Sequence, residues 1–234
     1  MALPKLETPT YELELPSTGE KVKYRPFLVK EQKLLMIAQE SNKESEMIET
    51  VSNLVDSCTF NKINSSTSPI FDIEYIFLQI RGKSVGEKIE VMVTCPDDEK
   101  TKVPVKLDLS EIFIQITDEH TNVIDVTDNI KLHLNYPLLN DLTGMDGKSE
   151  TQTVFELLNK CVSKIDYGDE VYHRTDITDK ELNEFIEQMT SSQFEQIMNF
   201  FNTMPKLRHP ITVTNPNTKK KSEVILEGLQ SFLE

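Results

Sequence analysis

Cys95-Pro96-Asp97-Asp98 lies between two alternating runs, at the proline-bearing knuckle where a zinc ribbon would carry Cys-x-x-Cys. The surrounding stretch recurs downstream, with Val93-Thr94-Cys95-Pro96-Asp97 matching Val213-Thr214-Asn215-Pro216-Asn217. The match continues without a gap: Lys100 falls on Lys220, Val105 on Ile225, Leu109 on Leu229, Ile112 on Phe232 and Phe113 on Leu233. A closed zinc site needs four ligands. The first knuckle keeps one cysteine and the second none, and neither His120 nor His133 adds a ligand-spaced pair. Two metal-free hairpins are therefore expected, one tipped by Asp97-Asp98-Glu99 and one by Lys219-Lys220-Lys221. Opposite charges on equivalent tips would suit head-to-tail contact between copies or with neighbours.

Other chemistry-bearing residues form no constellation. Cys58 and Cys161 fall on apolar helix faces. The nearest cysteine–histidine combination, Cys161 with His173, would thus have a shielded, inert thiol. No Gly-x-Ser-x-Gly elbow is present. Gly82-Lys83-Ser84 resembles the end of a P-loop, but position 77 is Phe and the segment follows a helix, not a strand. Asp141 to Gly147 places its glycines and acids wrongly for an EF-hand loop. The acidic pairs at Glu44/Glu46 and Asp169/Glu170 read as solvated faces, and no Trp is available as a sugar platform. No catalytic residue, cofactor or metal is expected. Arg81 and Lys83 suit a helix C-terminus, where the dipole favours cations, or a partner contact. Lys219, Lys220 and Lys221 suit a solvated tip or a docking point for an acidic partner. The candidate partner-binding residues are Arg81, Lys83, Glu87, Lys219, Lys220 and Lys221.

The bulk numbers agree with a protein that works on other proteins. The 234 residues carry 39 acids against 25 bases, a net charge of -14. That balance argues against non-specific binding to nucleic acid or an anionic membrane. Three cysteines, spaced far apart, suit a reducing compartment. Met1-Ala2-Leu3-Pro4-Lys5 leads into no apolar signal region, and no run reaches the length of a membrane span, so a cytoplasmic setting is expected.

An α+β architecture must position these residues. Alternation at Tyr11–Leu15 and Lys21–Tyr24 about Ser17-Thr18-Gly19 predicts an N-terminal β-hairpin. Helices are predicted over Lys30–Gln39 and, after Ser41-Asn42, over a stripe of Ile48, Val51, Val55 and Cys58. A third, with Ile73, Ile76, Phe77 and Ile80 buried and Tyr75 and Leu78 apolar on a second side, should be central and end at Gly82 and Gly86. The first knuckle hairpin covers 88–109, and β structure continues to Leu134. Residues 140–150 are expected as a loop or hinge, separating a 1–139 region from a helical 151–234 region that ends in the second hairpin. Val154, Leu157, Leu158, Cys161, Val162 and Ile165 make one helical stripe, and Thr178 with Glu181 and Ser192 with Glu195 read as capping boxes. The order of helix, then hairpin, thus occurs twice, which points to a pseudo-duplication.

Two longer blocks carry a resemblance. Leu3-Pro4-Lys5-Leu6-Glu7-Thr8-Pro9-Thr10-Tyr11-Glu12-Leu13 continues at Tyr24-Arg25-Pro26-Phe27-Leu28-Val29-Lys30-Glu31. The second block is Phe71-Asp72-Ile73-Glu74-Tyr75-Ile76-Phe77-Leu78 with Arg81-Gly82-Lys83-Ser84-Val85-Gly86-Glu87. Together they resemble the baseplate hub proteins of T-even-type contractile-tailed bacteriophages, over roughly residues 3–135. The resemblance implies a non-enzymatic virion-assembly role, in contact with other baseplate hub and tail proteins. Some members are hub subunits and others assembly factors that need not stay in the particle. Self-association or contact with neighbours is expected from the opposite charges on the two tips, and the acidic charge balance leaves nucleic acid and membrane out of the expected partners. The implied locations are the host cytoplasm during assembly and the virion tail baseplate. Some relatives carry a second cysteine after the Cys-Pro, where this chain has Asp97-Asp98.

Overall fold

The computed structural model describes residues 6–41, 43–144 and 149–232. The chain forms two compact units, Met1–Gln115 with Lys206–Glu234, and Ile116–Pro205. The second is thus inserted into the first. The division falls at 115/116 and 205/206, and the segment 140–150, expected as a loop or hinge, lies inside the inserted unit, with 145–148 outside the described residues.

In the first unit, β1 (Tyr11–Glu14) and β2 (Lys21–Tyr24) form the expected hairpin. Its alternation buries Leu13, Val22 and Tyr24. Helices α1 (Val29–Ser41) and α2 (Glu44–Cys58) follow, and the stripe Ile48, Val51, Val55 and Cys58 is buried as its spacing requires. Helix α3 (Ile70–Val85) starts behind Pro69, runs through Gly82 and stops at Gly86, whose φ of 107° few other residues adopt. The helix runs on through Gly82, which packs against Glu87 and Leu109; a methyl group there would meet them at 3.5 and 4.0 Å, ordinary van der Waals contact.

Helix α3 is the pillar of this unit. Phe71, Ile73, Ile76, Phe77, Leu78 and Ile80 are all buried. Four of its polar side chains meet distant segments. Asp72 accepts from the Ser17 amide at 3.1 Å and from the Ser17 hydroxyl. Ser84 Oγ accepts from the Phe27 amide at 2.9 Å. Glu74 accepts from the Leu229 amide at 3.0 Å, and Arg81 donates to the Phe232 carbonyl.

Strands β3 (Lys88–Thr94) and β4 (Lys102–Asp108) form the first knuckle hairpin. After the short strand β5 (Ile114–Gln115) the chain enters the inserted unit. There β6 (Val123–Thr127) and β7 (Ile130–Leu134) precede α4 (Glu150–Cys161), β8 (Val162–Tyr167) and β9 (Glu170–His173). The strands form one antiparallel sheet in the order β6-β7-β8-β9. The helical stripe predicted through Ile165 breaks at Cys161: Val162 and Ile165 are buried in β8 instead. Two β-branched residues three apart satisfy a helical period and an extended strand with a bulge alike, and pairing with β7 selects the strand. Helices α5 (Asp179–Glu187) and α6 (Ser191–Thr203) complete the unit. The Thr178–Glu181 capping box is present, whereas α6 is capped by Thr190 with Gln193, two residues earlier than expected. The core joins Ile124, Leu132, Leu158, Leu182, Ile197 and Phe200.

Strands β10 (Lys206–Thr214) and β11 (Lys221–Glu227) return to the first unit, with β10 paired to β5 through Lys206 and Gln115. Helix and hairpin alternate twice along the chain as expected, but α6 and the hairpin after it belong to different units. The repeat lies in the two hairpins and the 3-10 turns that follow, Leu109–Glu111 and Leu229–Phe232. It is not gapless. Thr94 pairs with Lys102 while Thr214 pairs with Lys221, so the second loop is one residue shorter. Val105 therefore corresponds to Val224, Leu107 to Leu226, and Ile225 points outward at 58% exposure. The longer second turn restores the frame, so that Ile112 and Phe232 are both fully buried. Leu233 lies outside the described residues.

Two measurements test this packing. Leu226→Ala should cost ~2–5 kcal/mol in urea unfolding, and Ile225→Ala should stay within ~0.5 kcal/mol; the gapless register predicts the reverse ranking. Burial pushes the Glu74 carboxyl from its ordinary 4.5 up to about 7. A carboxyl raised on folding contributes stability at low pH that is lost as pH rises through its folded value. Glu74→Gln should thus stabilise the protein by ~1–3 kcal/mol at pH 8. That gain should disappear by pH 4.5 in melts recorded across this range.

Candidate functional site

The two knuckles meet tip to tip within the first unit. Each loop closes by the same two backbone bonds. The Cys95 and Asn215 amides donate across their loops to the Thr101 and Lys220 carbonyls, at 2.7 and 3.0 Å. The Glu99 and Lys219 amides donate back to the Cys95 and Asn215 carbonyls at 3.0 and 2.9 Å. Glu99 and Lys219 take matching left-handed conformations, with φ of 55° and 64°. The loops therefore have one architecture despite differing in length.

Asn215 is 1% exposed and stands where Cys95 stands in the other knuckle. Its Oδ1 accepts from the Asn217 and Thr218 amides at 2.9 and 3.3 Å, and its Nδ2 donates to Asp97 Oδ1 at 2.9 Å. Thr218 Oγ1 donates to Asp97 Oδ2, and Asn217 Nδ2 donates to Thr101 Oγ1 at 3.0 Å. Asp98 turns to its own loop, accepting from the Thr101 amide at 2.9 Å and its hydroxyl at 2.5 Å. The Thr218 and Asn215 bonds hold Asp97 below the ordinary carboxylate range, and the Thr101 bonds do the same for Asp98. Positions that would each supply a metal thiolate thus carry one cysteine, one carboxylate, an amide and a hydroxyl. Two of them, Asn215 and Thr218, cross-link the tips as neutral donors to the Asp97 carboxylate, which a soft metal site does not resemble. Among the described residues, no group of His, Cys, Asp and Glu is placed to hold a metal ion.

This geometry alters the expected role of the acidic tip. Asp97 and Asp98 are engaged inside the chain, where the sequence reading offered them to a neighbour. Lys219, Lys220 and Lys221 are exposed. Arg81 is not available either: its guanidinium faces inward onto the Phe232 carbonyl, and burial lowers its pKa. Lys83 and Glu87 pair with each other, and the Lys83 ammonium lies 5.4 Å from the Tyr11 ring centroid. The six candidate residues therefore divide into an inward anchor, a local ion pair and an exposed cationic tip. Sequence reasoning missed Asn215. Its signal was an Asn-Pro-Asn in the frame of Cys-Pro-Asp, which invites a buried amide.

The thiols offer no nucleophile. Burial pushes Cys58 to about 11 and Cys161 to about 12, so both stay protonated at neutral pH. His173 lies on the exposed strand β9, while Cys161 is in the core of its unit.

A family model described as T4 bacteriophage base plate protein matches residues 8–234. The chain matches no curated protein and no solved structure.

Removing the buried amide should loosen the tips. Asn215→Ala should lower stability by ~1–3 kcal/mol, because amides and a carboxylate lose their partner. Lys220→Ala should stay within ~0.5 kcal/mol. Addition of EDTA should leave the melting temperature unchanged, and a drop of several degrees would reveal a metal contribution.

Proposed function

The chain belongs to the T4 bacteriophage base plate protein family, and from that premise we propose that it is a structural or assembly protein of the baseplate's central hub, acting by protein–protein contact. The supporting observation is that the match extends over 8–234 and so spans both compact units. The hub assignment itself rests on the blocks around Tyr11, Arg25 and Phe71 that resemble hub proteins. Buried thiols and carboxylates tied up in the hairpin tips suit a scaffold better than a catalyst. On this reading the protein is made and assembled in the host cytoplasm and works in the tail.

The exposed tip Lys219-Lys220-Lys221 is the contact we assign to an acidic neighbour in the hub. It projects from a hairpin fixed by the Asp97 bonds, so its three charges are presented on a rigid support. Rim charges of this kind steer association and set its salt dependence more than they add affinity.

Cryo-electron microscopy of purified tails should show the chain in the hub, and quantitative mass spectrometry should find it at integral stoichiometry. Its absence from finished virions, with retention in assembly intermediates, would instead make it a transient assembly chaperone. Replacing all three lysines by Glu should reduce incorporation several-fold, and unchanged incorporation would remove the tip from the interface.

A further inference from the structure

Helices α1 and α2 leave an open groove of about 450 Å³ between them. They run in opposite directions, since Arg25 bonds both Glu31 near the start of α1, at 3.0 Å, and Ser57 near the end of α2, at 3.1 Å. The groove walls differ in character. On α1, Leu34 and Ile37 line it while 56% and 50% exposed, beside the buried Ala38. On α2, Glu46 and Glu49 line the opposite wall. Leu34 and Ile37 are large aliphatic side chains at helical spacing that stay half-exposed, whereas the buried α1 residues are Glu31, Leu35 and Ala38.

We propose that this groove receives an amphipathic helix of a partner protein, with its apolar stripe on Leu34 and Ile37 and basic side chains over Glu46 and Glu49. The shape argument is that a channel between two antiparallel helices accepts a third by ridges into grooves. Charge supplies the rest. Glu46 pairs with Lys43 at 2.7 Å and also interacts with the Ser41 hydroxyl, an exposed arrangement that an incoming cation displaces at little cost, and Glu49 is exposed. Lys30 lines the other end of the channel, next to Glu31 at 3.4 Å, and favours an acidic residue there. The occupant is therefore polar along its length, basic where α2 begins. A second copy of this chain is a poor fit, because each copy carries a net charge of -14. This docking rests on the reading of the chain as one that works by protein contact.

The test uses the full chain and two fluorescein-labelled synthetic helices with the same leucine stripe. One carries lysine at its remaining positions and the other glutamate. By fluorescence anisotropy the lysine helix should bind at least tenfold more tightly than the glutamate helix. Leu34→Glu combined with Ile37→Glu should weaken it at least tenfold. Met36→Glu adds charge on α1 at an exposed position outside the groove and should leave binding within twofold. Glu46→Lys with Glu49→Lys should invert the preference between the two helices. Circular dichroism confirms folding of each variant. Equal binding of both helices, or an unchanged affinity in the Leu34/Ile37 variant, would overturn the proposal. So would a dimer in sedimentation that the same variant abolishes, which would give the face to a second copy. The tail reconstruction reads the hub assignment separately, so a failed peptide experiment leaves that assignment standing.

Discussion

Burial of α3 on nearly every side is the constraint that organises the first unit. A helix carrying Phe71, Ile73, Ile76, Phe77, Leu78 and Ile80 in the interior cannot be covered by one neighbour. It draws in α2, both hairpins and the turns after them. Polar groups on such a helix must find partners or forfeit their hydration. Asp72, Glu74, Arg81 and Ser84 do so with Ser17, Leu229, Phe232 and Phe27, in three segments far from the helix in sequence. Two hydrogen bonds locate Ser17, two locate the turn at Leu229–Phe232 and one locates Phe27, and their loss would strand donors or acceptors on the helix.

The two hairpins share an architecture and a core while differing in register. One residue is lost from the second loop and one is gained in the turn that follows, so inward positions stay inward. The side-chain period of two explains why the compensation is needed, since an uncorrected slip would turn Leu226 outward and Ile225 inward. At the tips the difference takes another form. A cysteine faces an asparagine, and the cross-link is made by Asp97 with Asn215 and Thr218.

Much of this was legible in the sequence where one period ruled. The N-terminal hairpin, the α2 stripe, α3 and the knuckle hairpins follow from alternation or helical spacing alone. Val162 and Ile165 misled because their spacing fits a helix as well as a bulged strand, and only pairing with β7 decides. The cap of α6 misled because Thr190 and Ser192 both precede a suitable partner three residues later. Arg81 could not be placed, since a guanidinium at a helix end looks the same whether it meets solvent or a carbonyl 151 residues away. The division into units is long-range by nature: it depends on Gln115 pairing with Lys206, which no local pattern announces.

The Asp97–Asn215 bond joins residues 118 positions apart, and this separation orders events at the ribosome. The first hairpin is synthesised with Val91, Val93 and Leu107 awaiting a cover that Ile211, Val213 and Leu226 provide. The whole inserted unit emerges in between. It gathers its own core from Ile116–Pro205, so it can fold while the first unit still lacks its last strands. Closure of the first unit is then a late step of high contact order. Until the last strands arrive, an apolar hairpin face stays open to any chaperone or neighbouring chain.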